Sequence, residues 1–386
     1  MTSRPPSSPD ASSRATSTLW TVFLGLALVR LVTARRPEAV EAPSDPTRHL
    51  GTGAKSYAGR PAHWVAETET DRGRKAEHPT EIPAKGWKDV LYRVYLEFQK
   101  DRVLSVAAGV TFYTLLAIFP AVAALVSLYG LFTDPATIND HLALLQGVLP
   151  SGALDIIGEQ VKRITSKGGT TLGVTFFTSL AISLWSANAG VKAIFDALNI
   201  VYEEEEKRSF IRLNLQSLAF TLGGLLFVVI ALVGIVVLPV ILNFIGHFGI
   251  SLSPNAWYIA LVRWPILFAI LLFGLALLYR FGPSRDKPRW RWVTPGSIIA
   301  GTVWLAGSIA FSWYVSNFGS YNETYGSLGA VIGFMTWIWI SATIVLIGGE
   351  INAELEHQTV RDTTTGPERP LGTRQARMAD TVGAPA

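Results

Sequence analysis

Four polar residues recur at helical spacing where the second long apolar segment of the sequence ends. Asn188, Lys192, Asp196 and Asn199 follow one another at steps of four, four and three residues. On an α-helix these steps place the side chains on one face, and Lys192 and Asp196 stand at the spacing of an ion pair. Such a face predicts one wall of a polar pathway through a membrane bundle. The alternative is an amphipathic extension that rests at the membrane interface.

A second polar set closes the last long apolar segment. Glu350 and Glu354 are one helical turn apart with Asn352 between them. Two carboxylates at this spacing can hold a proton or a cation, and the alternative is that water solvates them at a helix end. Both sets are expected at the same end of the bundle, so Lys192 is predicted to pair with Asp196 in one state and with Glu350 in another. Gated transport requires a two-state element of this kind.

Basic residues near the membrane form a third set. Arg263 lies roughly 9 Å inside an apolar segment if that segment begins at Trp257, since a helix rises 1.5 Å per residue. Its side chain either extends outward to lipid phosphates or forms an anion or headgroup site that faces the bundle. A later loop carries further candidates for contact with anionic lipid headgroups, whose alternative role is only to fix the topology. These candidates are Arg285, Lys287 and Arg289.

A glycine-containing turn between the last two apolar segments carries polar aromatic residues and one carboxylate. Its candidate residues are Tyr321, Asn322, Glu323 and Tyr325. They suit ligand contact at the outer mouth of a membrane protein, and they equally suit a short turn that only connects two helices. The sequence leaves both interpretations open.

The histidine and cysteine content offers no metal or cofactor site. The chain contains no Cys, which excludes disulfides and thiolate ligands. Its six His residues are scattered, and no two of them lie within ten residues of each other. Clustered ligands at short spacing are the usual mark of a metal site in a sequence. No metal and no cofactor are therefore predicted.

The elements that must position these residues follow from the distribution of charge. Only 16% of the 386 residues are charged, and the stretch between Arg212 and Arg263 has no Asp, Glu, Lys or Arg at all. A crossing of the bilayer needs about 20 apolar residues, and six segments meet this requirement. The sequence therefore predicts an all-α fold, a polytopic transmembrane bundle of six core helices. The predicted spans are 103–133, 168–191, 213–246, 258–279, 293–318 and 327–349.

The orientation of the spans follows from the basic residues in the short loops. Loops 192–212 and 280–292 are rich in Lys and Arg, whereas loops 247–257 and 319–326 have neither. Basic loops stay in the cytoplasm, so the C-terminus is predicted to be cytoplasmic. Loop 134–167 then lies outside, and its apolar periodicity predicts two short amphipathic helices on the outer face.

The segments that flank the spans differ in composition. The chain before the first span ends in an amphipathic stretch, in which Arg93 belongs to the polar face. The apolar segment 19–34 is either a seventh transmembrane helix or a processed leader. The predicted divisions are a disordered tail (1–18), a possible helix (19–34), a polar linker (35–86), an interfacial helix (87–100), the membrane domain (101–358) and a disordered cytoplasmic tail (359–386).

Several blocks of residues in order resemble one family of bacterial membrane proteins. They are Asp101-Arg102, Ala107-Ala108-Gly109-Val110-Thr111-Phe112-Tyr113, Phe119-Pro120, Trp185-Ser186-Ala187-Asn188, Asn199-Ile200-Val201-Tyr202, Tyr325-Gly326-Ser327-Leu328-Gly329 and Gly349-Glu350-Ile351-Asn352-Ala353-Glu354. Over residues 87–358 the chain resembles the YihY/BrkB family. The resemblance implies six helices in the inner membrane with both ends cytoplasmic, and it supplies no settled activity, since members have been labelled both ribonuclease BN and serum-resistance factor.

The function predicted from these patterns is that of a transporter or a lipid- or envelope-handling protein with a polar pathway between helices. The alternative is a membrane scaffold or envelope-integrity factor without a transported substrate. An enzyme is not predicted, because a metal-dependent ribonuclease needs clustered His and Asp ligands. Membrane lipids, anionic ones among them, are the expected partners, and no nucleic-acid partner is expected. A polar cavity near the midplane would favour the transporter, and a closed bundle the scaffold.

Overall fold

The computed structural model describes residues 67–130, 172–233, 256–318 and 327–386. Six long helices dominate these ranges, and they confirm the predicted all-α membrane fold. A shorter helix, α1 (Ala84–Lys100), precedes them, and one turn of helix, α8 (Arg377–Asp380), follows them. The long helices are α2 (Val103–Gly130), α3 (Leu172–Val201), α4 (Phe210–Leu232), α5 (Ala256–Phe281), α6 (Trp290–Phe318) and α7 (Ser327–Glu356).

Five of the long helices are long and apolar enough, over the described residues, to cross a bilayer. Their apolar stretches are Val103–Ala121, Phe210–Ala231, Val262–Phe281, Trp290–Val315 and Val331–Glu356. The remaining long helix, α3, takes the place of the span predicted at 168–191 and continues to Val201, as the spacing of its polar residues indicates. Six spans therefore stay the prediction, with five supported by length and composition.

The outer surface of the bundle is apolar in a way that only a lipid environment explains. Ile182, Leu215 and Ile309 are 67%, 64% and 64% exposed in the protein alone. In water, exposed apolar surface of this extent would cost about 25 cal/mol for each Å². In a bilayer the acyl chains cover these side chains, and the backbone is already satisfied by the helical hydrogen bonds.

Small residues let α6 and α7 approach each other closely. A Cβ added to Gly296 would overlap the carbonyl oxygen of Gly348 on the facing helix. Further along the same pair, the indole nitrogen of Trp304 donates to the hydroxyl of Ser341 at 2.9 Å. Close backbone contact and interhelical hydrogen bonds are what hold helices together in a membrane, where the hydrophobic effect gives no preference.

One end of the bundle, which we call the base, carries most of the buried core. It comprises α1, the end of α7 and the segments 67–83, 202–209, 282–289 and 357–386. Five of the six long helices meet there in one apolar cluster, to which each contributes at least one buried residue. Representative members are Val103, Leu198, Tyr279, Val293 and Ala353. The base is therefore the most firmly packed part of the described bundle.

Helix α1 packs against the base, but the face that it buries is not the apolar face that its sequence predicts. Val90 and Val94 pack inward, but so do the charged residues Asp89 and Arg93. The pattern predicts Arg93 on the polar, water-facing side, whereas the residue is only 6% exposed. The reason is that its guanidinium meets charged and carbonyl partners in the base, so that burial leaves it hydrogen-bonded. Part of the apolar face stays outside, namely Leu91, Tyr92 and Tyr95.

The C-terminal segment folds against the base, although its polar composition predicts disorder for 359–386. The guanidinium of Arg374 is buried and donates to the backbone carbonyls of Val360, Arg361 and Ala379. Arg74, within the predicted linker, likewise donates to the carbonyl of Gly383 at 2.8 Å. Buried arginines therefore hold this segment in place where an apolar core is lacking. Each guanidinium can donate hydrogen bonds to several main-chain carbonyls at once.

Some predicted elements lie outside the described residues. They are the disordered tail 1–18, the possible helix 19–34, the amphipathic helices of loop 134–167 and the outer turn 319–326.

Candidate functional site

Two of the three polar residues at the end of α7, Asn352 and Glu354, have defined partners. Asn352 accepts a hydrogen bond from the backbone N–H of Gly296 at 2.8 Å and donates to the carbonyl of Val293 at 3.1 Å. Asn352 therefore links α7 to the first turns of α6 by hydrogen bonds. Glu354 is 1% exposed and forms an ion pair with Arg93 of α1. Asn352 and Glu354 are both fully engaged in holding helices together.

The predicted polar face of α3 is divided between separate neighbours. Asn188 accepts a hydrogen bond from the hydroxyl of Thr221 on α4 at 3.1 Å. Asn199 donates to Glu206 at 3.2 Å and accepts from the backbone N–H of Ser284 at 2.8 Å. The two asparagines are buried and join α3 to α4 and to the loop before α6.

Lys192 and Asp196 do not form the predicted exchangeable pair. Within the described residues, no ion pair within 4.0 Å joins Lys192 to Asp196 or to Glu350. The ammonium of Lys192 lies 5.0 Å from the ring centre of Trp185, in a cation–π contact. Asp196 is exposed. The structure thus does not bring Lys192 and Asp196 together with Glu350, and the pathway and amphipathic-extension interpretations of these two residues stay predictions.

Glu350 differs from the other candidates, because it is buried and no described residue pairs with it in a hydrogen bond of ordinary geometry. It is 0% exposed, and the Asp101 carboxyl is the hydrogen-bonding group that acts on it, through a contact too distorted to count as a regular hydrogen bond. The charged groups that act on it are mostly acidic. They are Asp101, Glu354 and Glu97, with Lys100 as the cation. A buried carboxylate without a partner is costly, so such a group is kept neutral or marks a working site.

Asp101 forms the accessible side of this acidic group. It caps the end of α1, and its position brings it within the influence of Glu350. Burial, and after it the neighbouring charge of Glu97, raises the pKa of Asp101 to about 7. Lys100 is held nearby by Glu97 at 2.7 Å and by Glu203 at 2.6 Å. Asp101 therefore changes its charge near neutral pH, at the edge of the base.

Asp101 and Glu97 are not among the site residues that the sequence predicts. The Asp101-Arg102 pair opens the first block of residues that carries the family resemblance, so a signal for Asp101 was present. Nothing in the spacing along α1 could show that its end meets α7, because that contact depends on how the two helices pack.

The basic candidates also separate into engaged and free side chains. Arg285 pairs with Glu356 at 2.7 Å, and both side chains are 0% exposed, so the fold itself uses this arginine. Arg289 donates to the carbonyl of Thr364 at 3.0 Å. Lys287 is exposed and lies in a cation–π contact at 5.0 Å from the ring centre of Phe281.

Arg263 and the outer turn complete the set of sequence candidates. The guanidinium of Arg263 lies 5.3 Å from the ring centre of Trp264, and its Nε has no partner in the described part of the chain. The outer-turn residues Tyr321, Asn322, Glu323 and Tyr325 lie outside the described residues.

Metal ligands do not cluster in the part of the chain that the structure covers. Among the described residues, no three side chains of His, Asp or Glu come together as a metal site.

Known proteins are similar to this chain over most of its length. A ribonuclease-like protein, YfkH, of Bacillus subtilis (strain 168) is 32% identical over 260 residues, which cover 65% of this chain and 89% of that protein. A UPF0761 membrane protein of Aliivibrio salmonicida (strain LFI1238) is 30% identical over 273 residues, which cover 68% and 83%. Another UPF0761 membrane protein, of Mannheimia succiniciproducens, is 22% identical over 265 residues, with 68% and 87% covered. No solved structure is similar to the chain.

A family model also matches most of the chain. The family described as Virulence factor BrkB matches residues 94–372, which include Asp101, Glu350 and all six long helices. The relatives named as membrane proteins agree with the apolar helices described above. The chain is therefore a multi-pass bacterial membrane protein and belongs to the BrkB family.

Proposed function

We propose that this protein is a membrane transporter whose working group is the Glu350 carboxyl at the base of the bundle. The observation that carries the proposal is the burial of Glu350 without a hydrogen bond of ordinary geometry among the described residues. Ionisable residues placed at such depth without a structural partner are typically retained for ion or proton movement.

The pair formed by Glu350 and Asp101 suits the exchange of a proton. Asp101 is partly exposed and Glu350 is not, so a proton can pass from water to the first carboxyl and then to the second. Like charges this close disfavour double ionisation, which keeps at least one proton on the pair near neutral pH. A proton held in this way provides the coupling that a secondary transporter needs.

The proposed pathway involves fewer residues than the one that the sequence predicts. Asn188, Asn199, Asn352 and Glu354 serve to hold helices together in this proposal, because each has defined partners. The working set is reduced to Glu350, with the carboxyls around it.

Complementation of a deletion strain tests the role of Glu350. The strain is first screened for an envelope-stress phenotype that the wild-type gene restores, and protein levels are checked by blot. Glu350→Gln should abolish the activity while folded protein remains in the membrane. Asp196→Asn is the matched control, because Asp196 is an exposed carboxylate on the neighbouring helix α3. Full activity of well-expressed Glu350→Gln contradicts the transporter.

A scaffold without a transported substrate is the second candidate. The observation that favours it is the set of buried ion pairs that fix the base, Arg93 with Glu354 and Arg285 with Glu356. In a scaffold, Glu350→Gln affects only stability, so the same complementation experiment separates the two functions. Direct evidence for transport comes from pH-sensitive dye in liposomes, in which Glu350→Gln should remove the proton flux that the wild type produces.

We further propose that the base faces the cytoplasm in the bacterial inner membrane. The support is the basic content of the loops on that side, 192–212 and 280–292. A reporter fused after Ala386 should be active only in its cytoplasmic form. Activity of a periplasmic reporter at that position contradicts the orientation.

A further inference from the structure

Five basic residues surround the corner between α5 and α6, and three of them have polar partners within the protein. Arg285 is paired with Glu356, Arg289 donates to the Thr364 carbonyl, and Arg291 lies 2.8 Å from the ring nitrogen of His78. Within the described residues, Arg280 and Lys287 have no carboxylate within 4.0 Å, and Nε and Nη1 of Arg280 have no hydrogen-bond partner. These five residues are Arg280, Arg285, Lys287, Arg289 and Arg291.

Aromatic rings support the two unpaired cations. The guanidinium of Arg280 lies 4.3 Å from the ring centre of Trp290 and 5.6 Å from that of Phe281. The ammonium of Lys287 lies 5.0 Å from the ring centre of Phe281. The two cations are thus held over adjacent rings, and cation–π contact orients them without neutralising their charge.

The same rings continue onto the lipid-facing surface. Trp290 stacks on Phe273 with ring centres 6.1 Å apart, and these two side chains are 44% and 57% exposed. Arg280 and Phe281 end one apolar stretch, and Trp290 begins the next. This is the level at which aromatic side chains and lipid headgroups meet at the edge of a bilayer. The corner therefore offers positive charge beside an exposed apolar surface.

We propose that Arg280 and Lys287, supported by Phe281 and Trp290, bind the headgroup phosphate of an anionic phospholipid whose acyl chain lies along Phe273. Such a lipid supplies both parts that the corner lacks, a negative charge for two unpaired cations and a hydrocarbon chain for the exposed ring. Free phosphate has no apolar part and leaves Phe273 and Trp290 uncovered. The site does not depend on the transport proposal, since it lies on the outer surface of the bundle.

Lipid binding can be measured on the full chain by native mass spectrometry. The protein is released from detergent with phosphatidylglycerol or phosphatidylcholine added, and the bound lipid is counted. The wild type should retain phosphatidylglycerol in preference to phosphatidylcholine. Removing either of these two charges from the site should weaken that preference about fivefold, so Arg280→Gln and Lys287→Gln should each lower it and the double variant should abolish it.

Two further variants decide between a built site and general surface charge. Arg291→Gln removes one positive charge from the same corner, but Arg291 is already occupied by His78, so the lipid preference should persist. Trp290→Leu keeps every charge and removes the supporting ring, so the preference should fall. Equal losses in Arg291→Gln and Arg280→Gln, or a wild type without preference for phosphatidylglycerol, would overturn the proposal. Thermal unfolding of each variant confirms that the protein is folded, and either single variant suffices if the double variant does not fold.

Discussion

Arg285 and Glu356 form an ion pair at 2.7 Å in which both side chains are completely buried. The pair joins the loop before α6 to the last residue of α7, and the hydroxyl of Thr363 donates to the same Glu356 carboxylate at 2.7 Å. The guanidinium of Arg285 also lies 4.9 Å from the ring centre of Tyr202. Four parts of the base, namely the end of α7 and the segments 202–209, 282–289 and 357–386, therefore meet at one charge pair.

Removing one member of this pair should destabilise the protein strongly. Arg285→Gln leaves the Glu356 carboxylate buried without its counter-charge, which typically costs about 3–5 kcal/mol. The measurement is thermal unfolding in detergent, in which the variant should melt well below the wild type. Replacing both residues, as in Arg285→Met with Glu356→Leu, should recover much of the loss, because no charge is then left unpaired. A single variant that melts like the wild type would show that water reaches the pair.

The contact between α6 and α7 should be sensitive to one methyl group. A Cβ at Gly296 would overlap the Gly348 carbonyl oxygen and crowd the amide of Asn352, so Gly296→Ala should destabilise the protein by about 1–3 kcal/mol. The control is Gly274→Ala in α5, where nothing lies within 4 Å of the added Cβ. This control should be neutral or slightly stabilising, since Ala favours the helix. Unfolding in detergent separates the two variants, and equal behaviour of both would contradict the close approach of the helices.

The comparison of sequence and structure shows which features local patterns can predict. The six long helices follow from runs of apolar residues, because the bilayer imposes their length and composition whatever the neighbouring helices do. Asn352 and Glu350 were both expected to be polar contacts of α7. Their opposite environments, one fully bonded and one without a hydrogen bond of ordinary geometry among the described residues, depend on which helix lies opposite. Long-range packing of that kind leaves no periodic trace along the chain.

The C-terminal segment illustrates the same limit. Its composition has few apolar residues and predicts disorder, yet Arg374 and Arg74 organise it through hydrogen bonds to main-chain carbonyls. Composition measures how much apolar surface a segment can bury. Composition does not show that a buried guanidinium can donate hydrogen bonds to several carbonyls of a distant segment. For this reason the disorder predicted for 359–386 differs from the structure.

Stability should depend on pH through Asp101. Its pKa rises from an ordinary 3.8 to about 7, chiefly because of burial and then because of the charge of Glu97. The folded state therefore keeps a proton on Asp101 that the unfolded state releases between about pH 4 and pH 7. The contribution of this group to stability is fully present below pH 4 and is lost as the pH rises through 7. Asp101→Asn should flatten the fall in melting temperature between pH 5 and pH 8.

Glu206 provides the control for this pH dependence. Burial acts to raise its pKa, but the hydrogen bond and the charge of Arg208 outweigh burial, and the pKa falls to about 2. Its contribution is present above pH 4.5 and is lost only as the pH falls towards 2. Glu206→Gln should therefore shift the melting temperature by the same amount at pH 5 and pH 8. An unchanged pH profile in Asp101→Asn would show that Asp101 titrates normally.

The attachment of the C-terminal segment to α1 should depend on Gly383. A Cβ at this position would lie 2.5 Å from Nε of Arg93 and 2.6 Å from its Cζ. Arg93 cannot move aside freely, because it is bonded to Glu354, to the Gln358 side chain at 2.8 Å and to the Ala384 carbonyl at 3.0 Å. Gly383→Val should therefore displace the segment and leave Arg93 in place.

The displacement can be measured by hydrogen exchange of the backbone amide at this position, which in the wild type is the Gly383 N–H and donates to the His357 carbonyl at 2.8 Å. Two further hydrogen bonds hold the same stretch, from Arg74 to the Gly383 carbonyl and from Arg93 to the Ala384 carbonyl. Their loss at about 1 kcal/mol each corresponds to an increase of about 30-fold in the exchange rate. Glu368→Ala, at an exposed position of the same segment with a loose ion pair at 3.8 Å, should leave the rate unchanged because exposed pairs contribute little. If exchange is already fast in the wild type, the segment is not held by Arg93, and the buried arginine must be stabilised by Glu354 and Gln358 alone.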